Sequence, residues 1–454
     1  METDRTINVM HVPFTYYPDP VGGTEVYVEG LAGSLLQLGL QSVIAAPGAD
    51  DRRYEWRGLP VYRFRASDAL DLRDQYGPGD PWAAESFGRM LDRVRPDVVH
   101  LHAHGPVISV RIVQETRRRG IPTVFTYHTP TVTCMRGTLM HMGKSPCDGQ
   151  LDLNRCVRCA LHARGAPASF SLLLTYVPAG LGTVAARAAT GRLRTALQMR
   201  MLTDVAHDAF RSFLADVDHI VAVCDWARGV LERNGVDPLK ITLSRHGVHA
   251  PTSAVSPMLP RRDSKLHIAF LGRLRPEKGL HVLLQAMALI PDAPIQLDIY
   301  GIMQPGSEGG YSRVVRELSA ADSRVAWLPP ISGEVFSTLS RYDLLAVPSV
   351  WLESGPLVVL EAFAAGIPVL GSALGGIAEL VTPDVDGVLV APGSVSDWVD
   401  ALRELSDTPA LVGKLRQGVR PPRSMTEVAD DMMSIYRNLV GALSRRDAVS
   451  QGTQ

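Results

Sequence analysis

Short apolar runs alternate with amphipathic helical stretches along this chain, and the alternation happens twice. The first round opens with Ile7-Asn8-Val9-Met10-His11-Val12, which reads as a buried strand. The turn Gly22-Gly23 follows, then a helical run with Val26, Gly30, Leu31, Leu35 and Leu38 on one side, stopped near Gly39. Ser42 to Ala46, Val98 to Leu101, Thr123 to Tyr127 and His219 to Cys224 read as further strands. The basic stretch Arg117-Arg118-Arg119 before Gly120 suits a helix C-terminus. Strands that alternate with helices need a parallel sheet covered on both faces.

The second round starts at Leu266 to Leu271. It continues through a helix over Gly279 to Ile290 and a strand over Gln296 to Tyr300. Val325 to Leu328, Leu344 to Val347, Pro368 to Leu370 and Val388 to Val390 are later strand candidates, with helices over Leu357 to Ala365 and Ser396 to Leu405. Between the rounds, 250–264 is rich in Pro and Ser and has no periodicity, so it reads as a linker. The expected organisation is an N-terminal Rossmann-like domain over 1–249, interrupted by an insertion over 134–210, and a second Rossmann-like domain over 265–420. A last helix over 421–445 has a capping box, Ser424-x-x-Glu427, and is expected to cross back to the first domain. The tail after Arg446 is expected to be disordered. Two doubly wound α/β domains should face each other across a cleft at the carboxyl ends of their strands, where open sheets of this kind bind ligands.

Composition narrows the function. The chain has 454 residues with 46 Lys and Arg against 47 Asp and Glu, a net charge of -1, so no nucleic-acid partner is expected. The longest apolar candidate, Phe170 to Val177, falls far short of the roughly 18–20 residues of a spanning helix. The first residues carry acids and no apolar h-region, so a cytoplasmic protein is expected.

Two loops in the second half carry the chemistry. Gly272-Arg273-Leu274-Arg275-Pro276-Glu277-Lys278-Gly279 puts cations at the carboxyl edge of a strand, just before a helix. An Arg fork and a Lys point charge suit a diphosphate; a solvated charged loop is the bland alternative. Farther on, Glu353 precedes a helix and Glu361 lies on it, with Ser354-Gly355-Pro356 between. Pro356 fits the first helical position, which leaves the amides of Leu357 and Val358 as donors for an anion.

In this order, Gly-Arg-x-x-x-x-Lys-Gly and Glu-x7-Glu resemble the retaining nucleotide-sugar glycosyltransferases of glycosyltransferase family 4, whose fold is called GT-B. Gly22-Gly23-Thr24-Glu25 resembles the family's early glycine loop, His128 its N-domain histidine, and Gly375-Gly376-Ile377-Ala378-Glu379 its Gly-Gly-x-x-Glu loop. The resemblance is strongest from about 265 to 395 and says least about 134–210. Ala378 stands where the family usually has Pro, and Arg245-His246-Gly247-Val248 where Pro-Asn-Gly is commoner.

The resemblance implies transfer of a sugar from a nucleoside diphosphate donor to an acceptor hydroxyl, with retained configuration and no cofactor required for catalysis. It implies that Arg273 and Lys278 hold the diphosphate and that Glu353 faces the donor sugar. Glu361 would bind ribose, Leu357 and Val358 would give amides, and Gly22 and Gly23 would admit the donor or acceptor. His128 would touch the transferred sugar. The acceptor would be a glycan, a glycolipid or a small molecule, in glycan, polysaccharide or glycolipid biosynthesis. A sugar-nucleotide epimerase or a glycan phosphorylase of the same architecture is the runner-up, and a non-enzymatic metal-containing binding module a third reading.

Two features lie outside the resemblance. Four of the five cysteines form Cys134-x12-Cys147-x8-Cys156-x2-Cys159. The last pair has zinc-knuckle spacing, and four thiolates would close a structural zinc site. Unligated thiols and iron–sulfur ligation also fit the residues. Residues 153–203 carry seven arginines and no acid among interleaved apolar residues. Such a segment suits peripheral attachment to the inner face of a membrane, or a helical insertion with a solvated basic face.

Overall fold

The computed structural model describes residues 6–249, 264–303, 310–331 and 335–451. It divides into two units. One holds Met1–Arg245 with Thr426–Gln454, the other His246–Met425. The boundary therefore falls at Arg245 and His246, and nearly all of the expected linker, 250–263, lies outside the described residues.

The first unit is built on an eight-stranded sheet. Across it run Ile241–Leu243, His219–Ala222, Thr123–Tyr127, Val98–Leu101, Asn8–Val12, Gln41–Gly48, Leu59–Arg65 and Arg52–Trp56. All neighbours are parallel except the last pair. Every residue of Val98–Leu101 and Thr123–Tyr127 is buried, as strands covered on both faces must be. The antiparallel pair turns through Arg57-Gly58, both left-handed, a two-residue hairpin that the sequence reading missed. The chain leaves Asn8–Val12 toward one side of the sheet and later returns to the other at Val98–Leu101, so the topological switch lies between these strands.

The insertion holds a small hairpin, Met140–His141 with Ser145–Pro146, and the helices Leu153–Ala163, Ala168–Thr175, Ala179–Ala186 and Gly191–Asp216. The C-terminal helix, Met425–Gln451, belongs to the first unit apart from its first residue. It continues past Arg446, where the sequence suggested disorder. Its Tyr436 is fully buried, with the hydroxyl 2.6 Å from His100 Nδ1.

The second unit has a six-stranded parallel sheet in the order Val325–Leu328, Ile295–Ile302, Leu266–Arg273, Leu344–Val347, Val369–Ser372, Gly387–Val390. Leu266–Arg273 is flanked by Ile295–Ile302 on one side and Leu344–Val347 on the other, so the switch lies at its carboxyl end. One core cluster includes Phe270, Leu283, Leu297 and Trp398, and another Val347, Val359 and Ile377.

Candidate active site

In the second unit the switch point gathers most of the expected donor residues. Arg273 is the last residue of its strand and partly exposed. After it, Pro276–Lys278 forms one 3₁₀ turn, and Val350 N–H donates to Glu277 O at 2.9 Å. Gly279 follows at φ +69, and a Cβ there would stand 1.8 Å from Pro348 O. Only glycine permits this approach. The two loops are thus locked together, and Lys278 Nζ lies 2.6 Å from Glu353 Oε1.

Glu353 is buried. Burial pushes its carboxyl up, but the Lys278 charge and hydrogen bonds from Lys278 and Ser349 outweigh that and hold it below its ordinary value. Ser349 Oγ donates to the same Oε1 at 2.7 Å. The backbone is held as firmly: Gly376 N–H donates to Glu353 O at 2.6 Å, and a Cβ on Gly376 would come within 2.8 Å of that oxygen. The Gly375-Gly376 loop therefore clasps Glu353. Ala378 lies in the first turn of the helix Gly375–Leu380, where its amide makes a long 3.5 Å bond to Leu374 O, so little rests on that departure from the family pattern. The other departure, His246, places Nδ1 3.1 Å from Gly355 O, and burial lowers its pKa to about 4. A neutral His246 donates there and fixes the loop before the next helix.

That helix, Leu357–Ala364, starts at the residue read from the sequence and ends one residue earlier. Pro356 is its N-cap, with φ -69 and ψ 100, and not its first helical residue. Val359 N–H already bonds to Pro356 O at 3.0 Å, which leaves the amides of Leu357 and Val358 in the first turn. Glu361 is the fifth helical residue. Burial pushes its carboxyl up to about 7.

In the first unit, Gly23 starts the helix Gly23–Gln37 and Gly22 is its N-cap. Gly22 has φ -124, extended backbone open to any residue, and its N–H donates to Glu25 Oε2 at 2.8 Å. The amides of Gly23 and Thr24 are the ones in the first turn. The loop before it is held by Arg63, 1% exposed, which pairs with Asp19 at 3.0 Å and donates to Tyr17 O at 3.3 Å. The same helix carries Tyr27, whose ring meets the ring of His128 edge-on at 4.7 Å. Gly22, Gly23 and His128 are thereby brought together.

His128 does not stand alone. His102 Nδ1 lies 3.1 Å from His128 Nε2, His11 Nδ1 lies 3.1 Å from His102 Nε2, and Ser42 Oγ lies 3.4 Å from His11 Nε2. His11, His102 and His128 are all buried, and burial lowers the pKa of His11 to about 3. His100 lies among them, but Tyr436 and Thr126 occupy its nitrogens at 2.6 and 2.7 Å. His11, His100 and His102 offer ligand atoms within 4.8 Å of one another, yet whichever nitrogen each gave to a metal already holds a hydrogen bond. This chain of imidazoles was missed in the sequence. Its signal was present in His100-x-His102-x-His104, where alternate residues of an extended segment share a face.

Cations, free helix amides and held carboxylates at a sheet's carboxyl edge make a site for an anionic ligand that bears hydroxyls. Lys278 has three donor hydrogens, so it can keep Glu353 and still meet a phosphate.

A family model described as glycosyl transferases group 1 matches residues 256–420, and one described as Glycosyltransferase Family 4 matches residues 21–149. The D-inositol 3-phosphate glycosyltransferase of Mycobacterium tuberculosis is 34% identical over 200 residues, covering 41% of this chain and 40% of that protein. The chain thus spans less than half the length of the curated relatives it matches. Among solved structures, sucrose-phosphate synthase from Thermosynechococcus elongatus aligns at TM-score 0.65 and 19% identity, over 96% of this chain and all (100%) of that one. Anabaena HepE in complex with UDP and glucose aligns at TM-score 0.58 and 14% identity, over 97% and 100%. These two likenesses are likenesses of fold, the GT-B arrangement of two parallel-sheet α/β domains.

Proposed function

The chain belongs to the family 4 glycosyltransferases, and on that premise we propose that it transfers a sugar from a nucleoside diphosphate donor to an acceptor hydroxyl with retention of configuration. The observation that carries this reading is the Lys278–Glu353 pair, clasped by Gly376 beside the amides of Leu357 and Val358. In this reading Arg273, Lys278 and those amides meet the diphosphate and stabilise the charge that grows on it as the bond to the sugar breaks. Glu353 accepts hydrogen bonds from the sugar, and Glu361 accepts them from ribose. His128 contacts the transferred sugar, and the Gly22-Gly23 turn admits donor or acceptor. The acceptor attacks from the face the leaving group departs, and the departing phosphate oxygen takes its proton. Positive charge comes from the protein's own side chains, so no bound metal ion is required for the transfer. The solved relatives in complex with UDP, UDP-glucose and ADP support a nucleotide donor.

The acceptor is proposed to be a glycan, glycolipid or small molecule, reached with the protein held at the inner face of the membrane. No single helix among the described residues is long and apolar enough to cross a membrane. Support for peripheral attachment comes instead from Leu173, Tyr176, Leu181 and Val184, which are 58–69% exposed on adjoining helices close in sequence to Arg187, Arg192 and Arg194. Apolar side chains beside cations match the interface of an anionic bilayer.

The test is thermal shift of the purified chain with UDP, GDP, ADP and their sugars, followed by donor hydrolysis. Stabilisation by one nucleoside diphosphate, abolished in Arg273→Ala, is expected. No shift with any of them, with or without anionic vesicles, rejects the reading.

A further inference from the structure

The cysteine-bearing segment plays no part in the transfer described above. Cys134, Cys147, Cys156 and Cys159 line one cavity of about 30 Å³, together with Arg136 and Arg155. That room is enough for a single ion. Three pieces of chain deliver the thiols. Cys134 follows the turn Pro130–Val132, Cys147 follows the hairpin strand Ser145–Pro146, and Cys156 and Cys159 lie three apart on the helix Leu153–Ala163. Residues at that spacing share a helix face. The hairpin loop turns through Met142 at φ 49, and the Met142 N–H donates to Cys159 Sγ at 3.3 Å.

The hairpin in this segment is small. Its strands are two residues long, and a lone two-stranded hairpin is marginal in water. The neighbouring apolar cluster, with Val157, Leu161 and Met199 at its centre, is built on helices and draws no buried member from the hairpin. The charges around the cavity are also unbalanced. Nε and Nη1 of Arg136 are buried with no acceptor among the described residues. Arg155 is held at the rim by Asp148, at 2.6 and 2.9 Å. Four thiolates around a divalent ion carry a net charge of about -2, part of which the Arg136 guanidinium offsets.

We propose that Cys134, Cys147, Cys156 and Cys159 bind one structural zinc ion in a tetrahedral tetrathiolate site, with four S–H protons released as one Zn²⁺ enters. No three of these sulfurs lie mutually within 4.8 Å among the described residues, so the ion draws them inward as it binds. The bond energy then goes into folding the segment.

The test is metal analysis by inductively coupled plasma mass spectrometry on the full chain, purified without a metal-affinity step. One zinc per chain is expected. Cys147→Ser and Cys159→Ser should each lose most of it, and Cys224→Ser should keep it. Should the serine variants fail to fold, titration of the unmodified chain with a mercurial decides: zinc should be released in step with the first four thiols. Cobalt(II) in place of zinc should give the visible bands of a tetrahedral thiolate complex. Zinc-free protein with four thiols open to Ellman's reagent overturns the proposal. So do iron with inorganic sulfide, or two disulfides found by mass spectrometry.

Discussion

Lys278 Nζ and Glu353 Oε1 stand 2.6 Å apart with side chains 21% and 8% exposed, so the lysine proposed to meet the donor phosphate also neutralises a buried acid. Removing the lysine leaves a buried carboxylate without its opposite charge, though the hydroxyl of Ser349 still donates to it. Lys278→Ala is expected to lower the unfolding free energy at neutral pH by up to about 3 kcal/mol, measured by urea denaturation. The Lys278→Met, Glu353→Gln double variant should recover most of that, while turnover stays down by about 10²–10³. Full activity in the double variant would separate the pair from the chemistry. Glu353 is held below its ordinary value of 4.5, so its contribution is complete above that pH and is lost as pH falls through the folded value. The stability gap between wild type and Lys278→Ala should therefore close on acidification.

Glu361 works in the opposite sense. Its folded value of about 7 lies above the ordinary 4.5, so the folded chain binds more proton than the unfolded chain between those pH values. Stability falls as pH rises through that window, and Glu361→Gln should be more stable than wild type above pH 7 by up to about 3 kcal/mol. Ribose hydroxyls favour the ionised carboxylate. Nucleotide binding near pH 6.5 should then release a proton, seen by calorimetry in buffers of different ionisation enthalpy, and affinity should rise from about pH 6 to 8. The same proton release in Glu361→Gln would remove Glu361 from the nucleotide site.

Strand identity was legible because parallel strands of a covered sheet are short apolar runs, and the fully buried Val98–Leu101, Thr123–Tyr127 and Leu344–Val347 and the half-buried edge strand Val325–Leu328 appear in the structure with the bounds read from the sequence. The hairpin Arg52–Trp56 with Leu59–Arg65 was not legible, because its strands are rich in Arg, Tyr and Trp and the first is mostly exposed. Arg273, Lys278, Glu353 and Glu361 could be named from loop position. That Lys278 and Glu353 touch could not, since the contact depends on how Gly279 packs on Pro348, 69 residues away in the chain by number. Pro356 shows the limit at a boundary: the first helical position and the N-cap both accept a proline, and tertiary clasping by His246 and Gly376 decides between them. His11 and His100 were passed over because a histidine within a strand reads as a polar interruption until its neighbours on adjacent strands are known.

The exposed apolar residues of the insertion can be tested without touching the donor residues. Leu173 is 66% exposed and Tyr176 69%, so replacing both with Asp should leave the fold intact. Surface changes of this kind usually move stability by less than about 0.5 kcal/mol. Co-flotation of wild type with anionic vesicles at low salt is expected, with loss in the double Asp variant and partial loss in Arg192→Ala, Arg194→Ala. Equal flotation of all variants would locate membrane contact elsewhere.

The imidazole chain makes the last prediction. Each of its nitrogen–nitrogen contacts holds one proton, and a neutral imidazole has one donor and one acceptor. His11, His102 and His128 must therefore share a tautomer, all Nδ1–H or all Nε2–H, and ¹⁵N spectra of histidine-labelled protein should show the three alike. His102 is a positioning residue for His128, so His102→Ala should lower kcat by up to about 10²-fold with little change in the KM for donor. His102→Gln, which can still join two hydrogen-bonding neighbours, should recover part of it. A loss in KM alone, or no recovery with Gln, would mean that His102 supports the fold and does not orient His128.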